Sequence, residues 1–390
     1  MLDHLTRLVE KSLVTMEAEG GRYRLLESVR QYGQERLSEA GEGDAVRSRH
    51  LGFFLALAEE ARAALVGPEQ GTWLARLDLE RENLLAAHAW CDRAEGGAEL
   101  GLRLVFALKL YMIYRGFLAL LSRATVEALA RPGAGGRSLA RCRALHSAGQ
   151  LGFLMGHYDE AQGYLEESLA IARELGDQRR VGTVLEELGA VLSGQGDLPA
   201  ARRHFEEALS LARALGNKRE LAAATNALAQ FHRMQGELDT AEPLYEQMLG
   251  LARALDDRES IAIGLLNLAM VAVGRESGDS ACDRLLEAVA IAEEIGSKPA
   301  GQCALEVAAG LAALRRDWVR AARYFGSAEA QIAQTGLKRD PADEAFLVPL
   351  VAHTRQALGA PAFAAAETVG RGLNYEQALG DARAWLEGPH

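Results

Sequence analysis

One fourteen-residue pattern returns along the chain every forty residues. It is YLEESLAIARELGD at 164–177, HFEEALSLARALGN at 204–217 and LYEQMLGLARALDD at 244–257, and a more divergent copy, RLLEAVAIAEEIGS, occupies 284–297. A constant spacing over four copies is typical of a repeat array, in which each unit buries its apolar face against its neighbours. A chain of 390 residues can therefore extend as a solenoid instead of enclosing one large core.

Two columns of residues close each copy and mark the boundary between helices. The first column holds Gly176, Gly216, Asp256, Gly296 and Gly336, and the second holds Asp177, Asn217, Asp257 and Ser297. A glycine just past a helix supplies the left-handed residue that ends it, and Asp, Asn or Ser caps the next helix by accepting a free backbone N–H. A further turn at 196–197 separates helical patterns at 180–195 and 198–215, so each unit is predicted to be a helical hairpin.

Small residues recur where the two helices of a hairpin would cross, with large residues beside them. One copy has Leu188 and Gly189 in its first helix, and Ala201, Phe205 and Ala208 in its second. This pattern resembles the tetratricopeptide repeat, although the unit has forty residues in place of thirty-four, a longer second helix and no proline at its end. The resemblance implies an all-α, right-handed tetratricopeptide-like superhelix, and the patterns of the first forty residues, which lie outside the repeats, predict a small β-hairpin, or wing, near the N-terminus.

The chain is predicted to contain four segments. Helix, strand, Gly-Gly turn, strand and helix patterns indicate a partial winged-helix-like segment, followed by a helical linker, about six repeats of which the first is degenerate, and C-terminal capping helices. The last of these opens with Asn374 and Gln377, which form a capping-box pattern. The predicted segments are 1–42, 43–99, 100–340 and 341–390.

Several stretches outside the repeats are similar to one family of bacterial regulators. LVEKSLV, RYRLLESVRQYGQERL, RHLGFFLALAEEA, WLARLDLERENLLAAHAW and GRGLNYEQAL resemble the C-terminal region of STAND-type regulators, which include LuxR-type and antibiotic-regulatory-type transcription factors. In that family a DNA-binding or effector domain and an ATPase precede the winged helix, and the repeats act as a sensor arm. The chain has no GxxxxGK[ST] nucleotide-binding motif. We therefore expect either the C-terminal part of such a regulator or a free-standing descendant.

Composition argues against several other functions. The net charge of −11, with both signs interspersed, disfavours nucleic acid as a direct partner. No apolar run is long enough for a membrane span and no signal peptide is recognisable, so a cytoplasmic protein is predicted. The four cysteines lack metal-ligand spacing, and motifs such as HExxH and GxSxG are absent. We therefore predict neither a metal, nor a cofactor, nor enzymatic activity.

The candidate binding residues are first-helix positions that do not repeat. In tetratricopeptide arrays the first helices line the concave surface, and fixed offsets around the Leu-small pair point into it. Such a surface suits a peptide or protein partner, or a small effector. Its side-chain amides would hydrogen-bond the backbone of a bound peptide, and its arginines would bind a carboxylate of the ligand. The offsets select Arg143, His146, Gln150, Phe153, Glu186, Ser193, Asn226, Gln230, Arg233, Leu266 and Met270.

Three functions remain compatible with these patterns. The first is the non-enzymatic sensor module of a STAND-type transcriptional regulator, which predicts an ATPase upstream in the gene. The second is a free-standing scaffold for protein–protein interaction, which predicts a stable complex that needs no nucleotide. The third is a helical-repeat enzyme or small-molecule-binding protein, which predicts a closed pocket with a buried histidine beside a carboxylate, since a fold does not determine a function.

Overall fold

The computed structural model of the protein describes residues 2–16 and 23–388. Over these ranges the chain forms nineteen helices and one two-stranded antiparallel sheet. The helices stack as hairpins in a tetratricopeptide-like solenoid. The prediction of an all-α repeat fold with a small hairpin near the N-terminus is therefore confirmed.

The N-terminal segment has the predicted order of helix, two strands and helix. Its elements are α1 (Leu2–Glu10), β1 (Val14–Met16), β2 (Tyr23–Leu25) and α2 (Glu27–Glu39). The strands are antiparallel and pair Val14 with Leu25 and Met16 with Tyr23. The predicted Gly-Gly turn at 20–21 lies outside the described residues. Its identity as part of a winged helix stays a prediction.

The central part of the chain consists of two long helices and six consecutive hairpins. The long helices are α3 (Gly43–Ala64) and α4 (Gln70–Trp90). From the third hairpin onward, first helices begin at 178, 218, 258 and 298, so the forty-residue period of the sequence is the period of the structure. The hairpins are α5 (Gly97–Tyr114) with α6 (Leu118–Ala130), α7 (Leu139–Leu154) with α8 (Tyr158–Glu174), α9 (Gln178–Gln195) with α10 (Leu198–Leu215), α11 (Lys218–Met234) with α12 (Leu238–Ala254), α13 (Arg258–Gly274) with α14 (Gly278–Ile295), and α15 (Lys298–Leu314) with α16 (Trp318–Thr335).

The two boundary columns have the roles that were predicted for them. Every residue of the first column has a positive φ, including Asp256 at 51°, where a non-glycine residue takes the left-handed conformation. Each residue of the second column accepts a hydrogen bond from a backbone N–H of the first turn, as Asp177 does from Arg180 and Ser297 from Ala300. These two columns therefore end one helix and begin the next at the four junctions from α8–α9 to α14–α15.

Helices within a hairpin approach closely at the small residues. A Cβ atom added to Gly189 would lie 2.7 Å from the ring of Phe205, and one added to Gly149 would overlap the side chain of Leu165. Ala201 and Ala208 are buried at the same crossing. The small columns of the sequence therefore determine how close the two helices of each unit lie.

Three C-terminal helices follow the last repeat: α17 (Pro341–Leu358), α18 (Ala360–Arg371) and α19 (Tyr375–Leu386). The predicted capping box at the start of α19 is present, with both reciprocal hydrogen bonds. The helix α18 packs on α16, where the Ser327 hydroxyl donates to the Gly370 carbonyl over 3.0 Å. Tyr375 anchors α19 by donating its hydroxyl hydrogen to the Ser297 carbonyl over 2.6 Å. These contacts cover the exposed end of the array.

The array closes upon itself, which the sequence did not indicate. Arg115, after α5, donates to the carbonyls of Ile295 and Gly296, each over 2.9 Å. The backbone N–H of Lys338 donates to the Leu154 carbonyl over 2.8 Å, and α17 packs against α11 as well as α15. The first helices consequently line a concave, partly open interior. No helix in the described ranges combines the length and apolarity of a membrane span.

We expect Gly189→Ala to destabilise the protein by about 1–3 kcal/mol, because the added methyl group meets a rigid, buried aromatic ring. The matched control is Gly163→Ala on the exposed face of α8, where nothing lies within 4 Å of the added atom. That change should stabilise the protein by up to about 1 kcal/mol through helix propensity. Urea denaturation followed by circular dichroism measures both, and stabilisation by both changes would contradict a tight crossing at Gly189.

Candidate functional site

Two adjacent chambers occupy the interior. The first has a volume of about 230 Å³ and is lined by α3, α5, α7, α9, α10 and α11; we call it the cationic chamber. The second has a volume of about 320 Å³ and is lined by α7, α9, α11, α13, α15 and the segment that leads into α17; we call it the amide chamber. Gln150, Glu186 and Glu187 line both, so the two chambers meet at these residues.

The cationic chamber collects basic side chains from separate helices. Arg62 comes from α3, Lys109 from α5, Arg180 from α9 and Arg219 from α11, and His146 of α7 lies among them. Lys109 is a single basic residue in the otherwise apolar stretch at 104–113, and packing of α5 on α7 turns it inward. Repeat stacking and the closure of the array therefore bring these charges together.

Burial and mutual repulsion disfavour the charged forms of these groups. Burial, with Arg180 and Arg143 adding to it, lowers the pKa of Arg62 to about 10. Burial also lowers the pKa of Lys109 to about 8, although the nearby Glu187 carboxylate opposes the change. The pKa of His146 lies well below its usual value because the ring is buried near Lys109. At neutral pH His146 is therefore a neutral imidazole, and neither ring nitrogen has a hydrogen-bond partner in the described part of the chain.

The amide chamber offers hydrogen-bonding groups beside apolar side chains. Gln150 donates its amide hydrogen to Glu187 over 2.5 Å, and Asn267 donates to Asn226 over 3.0 Å. The side-chain carbonyl oxygens of Gln150 and Gln302 are buried and accept no hydrogen bond in the described structure. Leu154, Ile263 and Leu266 complete the wall. Unpaired acceptors next to apolar surface suit a ligand with N–H groups and apolar side chains.

Several carboxyl groups of the interior take up protons more readily than usual. Burial and the neighbouring Glu187 raise the pKa of Glu186 to about 8. Burial raises the pKa of Glu306 to about 7 against the opposing effect of Arg339, and burial with Asp343 raises that of Asp340 to about 7. Near neutral pH these groups can both accept and donate hydrogen bonds.

One cluster of potential metal ligands lies at the edge of the amide chamber. Ligand atoms of Cys303, Glu306 and Asp343 lie within 4.8 Å of one another. Arg339 already pairs with Glu306 over 2.7 Å, and Arg233 pairs with Asp343 over 2.5 Å. Burial also raises the pKa of the Cys303 thiol well above its usual value, which disfavours the thiolate that binds metals. The cluster is therefore better described as part of an arginine–carboxylate network.

The structure brings most of the residues selected from the sequence to this interior. His146 lines the cationic chamber, Gln150 and Glu186 line both chambers, and Phe153, Asn226, Gln230 and Leu266 line the amide chamber. Ser193 borders a smaller neighbouring cavity and donates its hydroxyl hydrogen to the Gly189 carbonyl over 2.9 Å. Arg143 lies beside the cationic chamber, with its guanidinium carbon 5.2 Å from the centre of the Phe106 ring. Their role in binding a partner stays a prediction.

Two of the selected residues are not available at the groove. Met270 is 1% exposed and belongs to the hydrophobic core, because neighbouring helices cover that side of α13. Arg233 was expected to hold a ligand carboxylate, but it binds the protein itself: it donates to the Ala342 carbonyl over 2.9 Å, to Tyr245 over 3.0 Å, and to Asp343. The reason is that α17 folds back across α11, a contact that repeat spacing cannot predict.

Sequence reasoning also missed important lining residues. Arg62 lies in the segment predicted to be a linker, and Lys109 lies in the degenerate first repeat. Arg180, Glu187 and Gln302 occupy first-helix positions outside the fixed offsets. The isolated charge of Lys109 within an apolar run was the one available signal, since a buried lysine needs a specific environment.

Known proteins match parts of the chain. The tetratricopeptide repeat family model matches residues 180–254, and that of anaphase-promoting complex subunit 5 matches 141–195 and 246–312. A Mycobacterium tuberculosis protein named as an HTH-type transcriptional regulator is 41% identical over 111 residues, which are 28% of this chain and 12% of that protein. An uncharacterized protein of the same organism is 53% identical over 51 residues, 13% of each chain. The chain thus spans only about an eighth of these relatives.

Solved structures with a similar arrangement of helices have low sequence identity. A Rap protein complexed with competence and sporulation factor has a TM-score of 0.48 and 13% identity, over 88% of this chain and 99% of that one. A STAND protein with a tetratricopeptide repeat sensor from Pyrococcus horikoshii has a TM-score of 0.46 and 16% identity, over 98% of this chain and 60% of that one. The repeat match and the observed hairpins define a helical repeat protein of the tetratricopeptide type.

We expect Arg233→Met to destabilise the protein by about 3–5 kcal/mol, because it leaves Asp343 without its partner in a mostly buried site. Arg253→Met is the matched control, since Arg253 and its partner Glu287 are both about half exposed. An exposed pair contributes roughly 0–1 kcal/mol. Urea denaturation measures the two losses, and equal losses would show that Arg233 does not hold α17 on α11.

Proposed function

We propose that this protein is the non-enzymatic, effector-binding sensor module of a STAND-type transcriptional regulator. The observation that carries the proposal is the pair of adjoining chambers, which are lined mainly by first helices and which contain buried acceptors without donors. Similarity to the HTH-type regulator supports the regulatory context. The resemblance of the N-terminal and linker segments to STAND regulators supports the same context.

The chemistry of the amide chamber favours a short extended peptide as the effector. Gln150 and Gln302 offer carbonyl oxygens to backbone N–H groups, and Asn226 and Gln230 add further amides. Ile263 and Leu266 provide apolar surface for side chains. A peptide backbone satisfies this set of groups, because it presents donors at regular intervals between side chains of variable polarity.

The proposed mechanism is conformational. The interior touches α3, α11 and the start of α17, which belong to segments far apart in the chain. A ligand that fits the closed arrangement better than an opened one shifts the equilibrium between them by its difference in affinity. The linker helices then carry the change toward the N-terminal helix and sheet. Those elements are where the remainder of a STAND regulator would be attached.

Peptide binding is tested by affinity selection and mass spectrometry on the full chain, with an equimolar library of synthetic pentapeptides that have free termini. The wild type should retain a subset of the library. The double variant Gln150→Ala, Asn226→Ala should reduce retention of that subset by about tenfold or more, since each lost buried hydrogen bond costs about 1–3 kcal/mol. Gln162→Ala is the matched control, because Gln162 lies outside the chambers on α8 and pairs with Glu166. Equal retention by all three proteins, or none by the wild type, argues against an interior peptide site.

The regulatory half of the proposal is tested by sequencing the genomic DNA upstream of the codon for Met1. A STAND regulator should encode a GxxxxGK[ST] motif there in the same reading frame, because its ATPase needs the backbone cradle and lysine that hold nucleotide phosphates. An upstream stop codon with no such motif would leave a free-standing tetratricopeptide-type scaffold as the better description.

A further inference from the structure

Four cationic side chains surround one aromatic ring beside the cationic chamber. The guanidinium carbons of Arg62, Arg143 and Arg180 lie 4.1, 5.2 and 5.5 Å from the centre of the Phe106 ring, and the Lys109 ammonium lies 5.9 Å from it. They come from α3, α5, α7 and α9, and Phe106 itself lies on α5. A ring face attracts cations and orients guanidinium planes against it. The arrangement therefore holds the four groups together in a defined geometry.

These charges are not neutralised within the described part of the chain. None of the four forms an ion pair with a carboxylate there, and the Nε atoms of Arg62, Arg143 and Arg180 are buried without a hydrogen-bond partner. Arg180 is 9% exposed and Lys109 is 7% exposed. Arg62 and Arg143 are half-buried. Buried cations without partners are costly, and the buried Arg233 by contrast has its carboxylate.

The groups that face the cluster do not remove this excess. Glu186 and Glu187 lie toward Lys109 and offset part of its charge, although burial raises the pKa of both carboxyl groups. Asp177 acts in the same way on Arg180, but neither contact is an ion pair. Arg179 is paired with Glu220, and Arg219 donates to the Val66 carbonyl over 2.5 Å. Mutual repulsion also contributes to the lowered pKa of Arg62. An anion entering the chamber would relieve this repulsion and would meet donors that are already positioned.

The chamber also has an apolar lining. Ala208, Leu211 and Ala212 of α10 and Ala224 of α11 contribute it. A ligand that fills the chamber therefore needs an anionic end toward the arginines and an apolar body against this lining. Arginine forks match the planar geometry of carboxylate and phosphate oxygens, which a halide ion cannot reproduce.

We infer that Arg62, Lys109 and Arg180, with Arg143 behind them on the same ring, form a binding site for the carboxylate or phosphate group of a ligand whose apolar body lies along α10. This oxyanion has two sources to be distinguished: a separate small organic anion, or the free C-terminus of a peptide effector. The first does not depend on the proposed peptide binding. The second rests on it, since the C-terminus would occupy the cationic chamber while the backbone crosses into the amide chamber.

The site is tested with the full chain by isothermal titration calorimetry and thermal unfolding, with hexyl phosphate and hexanoate as probes and hexanol as the neutral control. At least one anion should bind and raise the unfolding midpoint, and hexanol should do neither. Arg62→Met and Arg180→Met should each weaken anion binding by about tenfold or more, because each removes a charge-assisted fork. Without ligand, both variants should unfold no earlier than the wild type, since each removes a repelling charge.

Arg202→Met is the matched control, because Arg202 lies on the outer face of α10, exposed and paired with Glu206. It should leave anion affinity unchanged. Absence of binding by both anions, or equal binding by the wild type and both interior variants, overturns the inference. Arg62→Lys and Arg180→Lys provide a second test that keeps the charge and the fold, and they should weaken the probes less than the methionine changes do.

Pentapeptides retained in the interior are then compared as free acids and as C-terminal amides. Loss of the amides with retention of the acids identifies the peptide C-terminus as the oxyanion. Equal retention of both forms, together with hexyl phosphate or hexanoate binding that depends on Arg62, identifies a separate small anion. If no pentapeptide is retained but the anion probes bind through the arginines, the peptide proposal fails and the oxyanion site stands.

Discussion

The close crossing of the two helices within each hairpin is the contact on which the rest of the structure depends. Gly149 and Gly189 have no side chain, so Leu165 and Phe205 of the second helices pack directly against the backbone of the first helices. Buried alanines lie at the same crossing. Because the crossing repeats every forty residues, successive hairpins stack with similar geometry. The first helices therefore follow one another along a single curved surface. The constant spacing of small residues along this chain thus determines the shape of the interior.

Closure converts that curved surface into a chamber. Contacts between the C-terminal segment and the central repeats, such as Arg233 with Asp343, join parts of the chain that are more than a hundred residues apart. Their cost in conformational entropy grows only slowly with the length of the loop that they close. A buried arginine is stable only when acceptors surround its guanidinium group. Arg233 donates to three of them, in Tyr245, Ala342 and Asp343. Closure is thereby built from the same interior surface that lines the proposed ligand site.

The sequence predicted the local structure well and the long-range structure poorly. The columns at Gly176 and Asp177 are set by backbone conformation and capping, which depend on a few adjacent residues, and the structure confirms both roles. The partners of Arg233 depend on where α17 packs. The repeat pattern of the sequence contains no information about that position. Arg62 was missed for a similar reason, because a helix read as a linker contributes it. In a repeat protein, repeat spacing therefore predicts the lining of the groove only where no non-repeating segment packs into it.

The interior shows two ways of accommodating buried charge. Toward α17, arginines are matched by carboxylates and carbonyl oxygens of the chain, so those groups stabilise the closed arrangement. Around Phe106, cations from four helices face an aromatic ring and one another, and none of them forms an ion pair with a carboxylate in the described part of the chain. A purely structural role would favour apolar side chains there, because burying unpaired cations costs stability. The cost in folding stability is explained if a ligand supplies the anionic partner of these cations. Binding of that ligand would neutralise the charges and stabilise the folded protein.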